Sequence, residues 1–394
     1  MAESPYALKR SVSQSELWRL KSPVLQRLDI ELTERCNNAC QHCYINLPAD
    51  DAEAKSRELS TDAWREVLRQ AADLGVLTVR LTGGEPLLRE DFVDIYMSAR
   101  RLGLRVLIMT NARLITSELA DLFARVPPRE AVEITVYGMH QATYEAVSRA
   151  PGSYAEFRRG VELLADRQVP FIVKGARLPA NRSEKAEFET WAQSLPGNQD
   201  PPSYAMFFVL RGRRDSPARN RQIAKLRISS EEGMDVLTAK ADEYRSGQTE
   251  FCSKFMHAPG EHLFNCGAGT TVCVDAYGRL QPCMMLRDPA LTYDLLHGSL
   301  REALTQVFPK LRDVRATNPE YLDRCARCFI HGLCEQCPAK SWAEHGTLDT
   351  PVEYFCQIAH AEARYLGLLA EGERAWEVLD GLQRVQKMQT GVGQ

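Results

Sequence analysis

The sequence predicts an α/β protein: a partial (β/α)6 barrel, a small cysteine-rich α+β domain after it, and a C-terminal helix. Three observations carry this. Between residues 28 and about 210, short β-rich runs alternate with amphipathic stretches, as in a parallel sheet built from β–α units. Six such units fall short of the eight that close a full barrel, so the barrel is open. The twelve cysteines divide in two, with three at 36, 40 and 43 and nine between 252 and 356, which implies separate cysteine sites.

The expected strands are 28–33, 76–82, 105–110, 131–137, 171–176 and 204–210. Apolar residues recurring at three- and four-residue intervals mark helices at 61–74, 91–102, 117–125 and 154–166. Residues 1–27 form an N-terminal extension with a short helix around 16–20, and 28–215 the partial barrel. Residues 216–250 form a bridge with a helical stretch at 230–244, preceded by the basic run RGRRDSPARNRQIAKLR. The cysteine-rich domain takes 251–360, with 361–394 as C-terminal helix and tail; the helical pattern itself runs over 357–388. No repeat of 20 to 50 residues and no low-complexity tract is present.

Composition narrows the function. A chain of 394 residues, 44% hydrophobic and 26% charged, can bury a sizeable core. Its net charge of −3 provides no broad basic face for a nucleic-acid backbone or an anionic membrane, so neither is an expected partner. No apolar run approaches the roughly 18 residues that cross a bilayer, and the N-terminal stretch lacks a signal-peptide core, so the cytoplasm is the expected location. Thiols stay reduced there, which favours metal ligation over disulfides.

TERCNNACQHCYI sets Cys36, Cys40 and Cys43 three and then two residues apart, directly after the first strand. Three thiolates are one short of the ligand set of a four-iron cluster, leaving one iron open to an amine and a carboxylate. A zinc knuckle is the alternative, with His42 as its only obvious fourth ligand. Gly83, Gly84, Glu85 and Pro86 end the second strand, where residues without a Cβ let the backbone approach a ligand closely. These motifs resemble the radical S-adenosylmethionine superfamily. His42 stands where an aromatic residue often precedes the last cysteine there, and Tyr44 follows it. The resemblance implies that Cys36, Cys40 and Cys43 hold the catalytic [4Fe-4S] cluster and that Gly83–Pro86 receive the methionine amino group of S-adenosylmethionine. It makes His42, Tyr44, Asn111, Thr135, Lys174 and Arg211 or Arg213 candidate cofactor contacts. It further implies reductive cleavage to a 5′-deoxyadenosyl radical that takes a substrate hydrogen atom.

Downstream, Cys266 and Cys283 flank Gly278, CARCFIHGLCEQC holds Cys325, Cys328, Cys334 and Cys337, and Cys356 follows alone. A zinc ribbon fits poorly, because only five residues separate Cys328 from Cys334. The series resembles the SPASM domain of radical enzymes that mature peptides, which holds up to two auxiliary [4Fe-4S] clusters; it departs from that pattern between Cys334 and Cys337, where two residues stand in place of three. By that family's scheme Cys266, Cys283 and Cys337 serve an inner cluster, and Cys325, Cys328, Cys334 and Cys356 an outer one. Cys252 is the expected fourth inner ligand and Cys273 its competitor.

Two substrate classes follow from the resemblance. The first is a ribosomally made peptide, cross-linked or epimerised; the second is a small metabolite such as a sugar, oxidised or epimerised. Residues 1–27 are too short for the winged-helix leader-binding domain that many peptide maturases carry, which weighs against the first, while the open barrel mouth favours it. A flavodoxin or ferredoxin is the implied reducing partner.

Overall fold

A computed structural model describes residues 25, 27–198, 200–256, 258–334 and 337–390. The helix expected around 16–20 lies outside them.

Nine strands form the main sheet: β1 Arg27–Thr33, β2 Thr78–Gly83, β3 Arg105–Thr110, β4 Arg129–Val136, β5 Phe171–Ala176, β6 Tyr204–Ala205, β7 Cys273–Val274, β8 Arg279–Gln281 and β9 Tyr293–Asp294. Their order is β9-β8-β7-β1-β2-β3-β4-β5-β6. Pairing from β1 through β6 is parallel. The sheet is therefore an open half-barrel, and all six expected strands are present. The sixth is shorter than expected, pairing only at Tyr204 and Ala205.

Alternation along the strands sorts two faces. Leu28, Ile30 and Leu32 of β1, Val79 and Leu81 of β2, Val106 and Ile108 of β3, and Val132, Ile134 and Val136 of β4 join the core. Helices cover that side. In α1 (Thr61–Asp73) the buried residues Trp64, Val67, Leu68, Ala71 and Ala72 fall on one stripe, and Ser60 caps the first turn by accepting from Ala63 N at 3.3 Å. The helix stops at Gly75, whose φ of 84° only glycine adopts readily. Further helices are α2 Phe92–Arg101, α3 Ser117–Arg125, α4 Gln141–Ser148, α5 Ser153–Asp166 and α6 Lys185–Ser194. The other face of the sheet is polar: Asp29, Glu31 and Thr33 alternate with the leucines of β1, and Glu133 with the aliphatics of β4.

The chain then runs through α7 Pro217–Lys225, α8 Ser230–Leu237 and α9 Ala241–Phe255. The single helix expected at 230–244 is thus two, separated by a tight turn over Thr238–Lys240. The cysteine-rich part does not hang from the barrel as an appendage. Its strand β7 adds in parallel to the free side of β1, with Asp29 opposite Cys273 and Ile30 opposite Val274. Val274, Leu280, Leu300 and Phe308 enter the same core as the barrel helices. A second, smaller core gathers Cys252, Cys328, Phe329, Leu333, Ala363 and Leu369.

The expected continuous helix over 357–388 is a correction. After α10 (Pro338–His345) come α11 Glu353–Tyr365 and α12 Gly381–Thr390, with turns between them. Gly367 (φ 75°) ends α11, and Leu368 N donates back to Ala363 O at 2.8 Å. No helix among the described residues is long and apolar enough to cross a membrane.

Candidate active site

The loop carrying Cys36, Cys40 and Cys43 leaves the C-terminal end of β1 and is fastened along its length. At its base Gly84 N donates to Thr33 O at 2.7 Å and Glu85 N to Arg35 O at 2.9 Å. A Cβ on Gly83 would lie 2.1 Å from Thr33 O, and one on Gly84 2.3 Å from Arg35 O. The close approach that requires these glycines is therefore to the root of the cysteine loop itself. Glu85 is fully buried and accepts from Leu87 N, Thr110 Oγ1 and Asn111 N at 3.1, 2.8 and 2.8 Å, lashing the end of β2 to that of β3. Burial pushes its carboxyl up to about 7 despite those donors.

Farther out, Ala39 N donates to Ser148 O at 2.8 Å. Arg113, paired with Glu156, donates to Asn38 Oδ1 at 2.7 Å. Arg219 donates to both Asn46 O and Asn46 Oδ1 at 2.8 Å, and Asn46 Nδ2 to Asn38 O at 3.1 Å. Nothing about Arg113, Arg219 or the two asparagines singled them out in sequence; their partners are brought in by the fold.

The three thiols are gathered. Cys40 is buried, Cys36 and Cys43 partly exposed, and the charges of Cys40 and Cys43 reach Cys36. Burial raises the Cys36 thiol well above its ordinary value and pushes Cys40 up to about 12. Against that, Asn38 N points at Cys36 Sγ (3.4 Å) and Asn46 N at Cys43 Sγ (3.3 Å), donors of the kind that stabilise metal-bound thiolates. Among the described residues no three His, Cys, Asp or Glu side chains stand at the spacing of a single metal ion. A three-thiolate set with amide donors fits a four-iron cluster.

The other expected contacts divide. Asn111 reaches the loop, donating to Asn37 Oδ1 at 2.7 Å with Cys36 Sγ 3.9 Å away. His42 is partly buried beside Phe208 (4.8 Å) and Tyr137 (5.6 Å), which lowers its pKa to about 4. Thr135 and Lys174 are in register on neighbouring strands, and Lys174 pairs with Glu133 at 2.7 Å. Arg211 is committed elsewhere: 1% exposed, it binds Asp215 at 2.6 Å and donates to Cys43 O and Asn46 O at 3.4 Å. It holds the loop rather than facing an open site. Arg213 pairs with the buried Glu34 and lies over Tyr277, and Arg287 pairs with the buried Glu31 and faces Tyr44 at 5.8 Å. These buried charges join the barrel to the cysteine-rich part, and burial pushes Glu34 up to about 7.

Two more thiol groups assemble downstream. Cys266, Cys283 and Cys337 lie within reach of one another's charge. Cys325, Cys328, Cys334 and Cys356 line one small cavity. Cys252 sits on α9 and belongs to the second core, which also contains Cys328, Leu333 and Val385. Cys273 points to the polar face of the half-barrel, beside Glu31, Asp29 and Arg287.

Residues 30–177 match the Radical SAM superfamily. The chain carries a radical SAM domain. Over 336 residues it is 27% identical to the AdoMet-dependent heme synthase of Methanosarcina barkeri, covering 80% of this chain and 92% of that protein. It is equally 27% identical, over 333 residues, to the mycofactocin maturase MftC of Mycolicibacterium smegmatis, covering 82% and 80%. Among solved structures, native anSMEcpe with bound AdoMet and the Kp18Cys peptide superposes with a TM-score of 0.61 at 13% identity, covering 93% of this chain and 99% of that one. The fold is thus shared over nearly the whole length of the chain.

Proposed function

We propose that this radical SAM enzyme modifies a ribosomally made peptide in the cytoplasm, cross-linking two side chains or inverting one residue. In this reading Cys36, Cys40 and Cys43 hold the [4Fe-4S] cluster, and Gly83, Gly84, Glu85 and Pro86 line the seat of S-adenosylmethionine. Bound together, cluster and nucleotide supply the one-electron chemistry that generates a carbon radical. The chain's own work is placement. Arg113, Arg211 and Arg219 hold the loop, and Thr135 and Lys174 present polar groups at the mouth. Cys266, Cys283 and Cys337 form the inner auxiliary site and Cys325, Cys328, Cys334 and Cys356 the outer. Electrons would come from a flavodoxin- or ferredoxin-like donor.

The observation that carries this reading is three thiol groups in one chain whose fold superposes over nearly its whole length on a radical enzyme with a bound peptide. The similarity to a maturase points the same way. The similarity to a heme synthase favours the second reading, radical chemistry on a small metabolite. The deciding experiment is anaerobic release of 5′-deoxyadenosine by reduced, iron-loaded protein. Short cysteine- or aromatic-rich peptides should stimulate release and change mass, and Cys40→Ala should abolish it. Stimulation by sugar-type metabolites alone would reject the peptide.

A further inference from the structure

The fourth cysteine of the outer group stands beside a histidine and an arginine. Cys356 lies on α11, and the imidazole of His360, one turn on, stands with Nδ1 2.8 Å from Cys356 O and 3.6 Å from Cys356 Sγ. Which nitrogen carries the proton is fixed by the far side of the ring. Nε2 accepts from Ala375 N at 3.2 Å, so the hydrogen of the neutral ring is on Nδ1 and points at Cys356. From the other side Arg324 brings Nη2 to 3.9 Å from the same sulfur. Arg324 is held in place by Glu320 (2.7 Å) and Glu353 (2.6 Å). Its guanidinium lies 4.7 Å over Trp376, whose ring stands 5.4 Å from that of His360. Arg324, Trp376 and His360 thus form one packed unit beside Cys356 Sγ. Cys356, His360 and Trp376 also line a neighbouring cleft of about 720 Å³, the side on which this corner of the group meets the exterior.

We propose that Arg324 and His360 are positioning residues that raise the reduction potential of the cluster held by the outer cysteines, acting through Cys356 Sγ. Reduction by one electron adds one negative charge to the cluster, and the added charge is shared with its thiolate sulfurs. A guanidinium beside one of those sulfurs, and an N–H shared between that sulfur and the carbonyl of its own residue, stabilise the reduced form more than the oxidised one. The outer cluster is therefore tuned at its outward corner to accept an electron more readily than a four-thiolate site without such donors.

This inference rests on the outer cysteines holding a cluster, and the test separates the two claims. Full-length protein is loaded anaerobically with iron and sulfide, then titrated with a one-electron reductant under spectroscopic observation, for wild type, Arg324→Gln, Arg324→Lys and His360→Phe. Iron content should stay near ~12 per chain in all four, as three four-iron clusters require. One of the three midpoints should move to more negative potential in Arg324→Gln and His360→Phe and return toward wild type in Arg324→Lys, the other two staying put. Fully loaded variants with no moved midpoint would overturn the donor role, as would loss of the third cluster from Arg324→Gln with unchanged circular dichroism, since the arginine would then be a mere structural holder. Wild type with only two clusters, unaltered in iron by Cys328→Ala, would sink the cluster assignment itself.

Discussion

Gly84 has backbone oxygen where a side chain would go, 2.3 Å from Arg35 O and 2.5 Å from Glu34 O. Gly84→Ala must therefore push the root of the cysteine loop away from β2. The expected result is loss of about four irons per chain, the content of one cluster, while the other sites fill normally; full iron loading would refute this. One residue on, Glu85 has a folded-state pKa of about 7 against 4.5 unfolded. Folding favours its protonated form, so its contribution is complete below about 4.5 and fades as pH rises through about 7, with a slope of up to about 1.4 kcal/mol per pH unit. Glu34 adds a slope of the same sign. In denaturation of iron-free protein, the stability of wild type relative to Glu85→Gln should fall as pH rises from about 4.5 to about 7. The motif Gly83–Pro86 was legible from sequence. The reason for its glycines was not, because the obstacle is a carbonyl fifty residues away along the chain.

At the scale of elements, the loop after β8 sends Arg287 into the half-barrel to meet Glu31 of β1, both side chains essentially excluded from solvent. Removing one partner strands the other. Arg287→Met should cost about 3–5 kcal/mol in chemical denaturation, and the double variant Glu31→Leu/Arg287→Met should recover most of it. Equal losses in single and double variants would mean that the pair is not coupled. Cys252 on α9 is buried in the second core. Cys252→Ala should keep its full iron while losing about 1–3 kcal/mol, whereas Cys283→Ala should lose iron. The place of Cys252 in the second core was not readable, because sequence order sets it beside Cys266 while α9 carries it among Cys328, Leu333 and Ala363. Strands β1 to β5 were readable because their aliphatic residues alternate with a polar inner face over six to eight residues. The two- and three-residue strands β7 to β9 are too short to show any period.

Across the whole molecule, two cores divide the labour. The larger one runs from the barrel helices into the cysteine-rich part as far as Ala343, and the smaller includes Cys328, with Cys334 packed against it. Stripping the iron should therefore loosen residues 325–334 and 353–365 first. Hydrogen exchange should quicken there while amides of β1 to β4 stay protected, and uniform loss of protection would show the two cores to be one cooperative unit. The expected single helix at 357–388 misjudged this region because apolar spacing persists through it, yet Gly367 and Gly372 both take left-handed backbone.

The addition of β7 to β1 has a consequence for any attempt to work with the barrel alone. Ending the polypeptide at 256 would strip the neighbour from Asp29 and Ile30 and turn the strand that bears the thiol loop into a bare border. Borders of that kind recruit foreign strands, so the shortened protein should precipitate or pair with itself instead of surviving as a minimal enzyme.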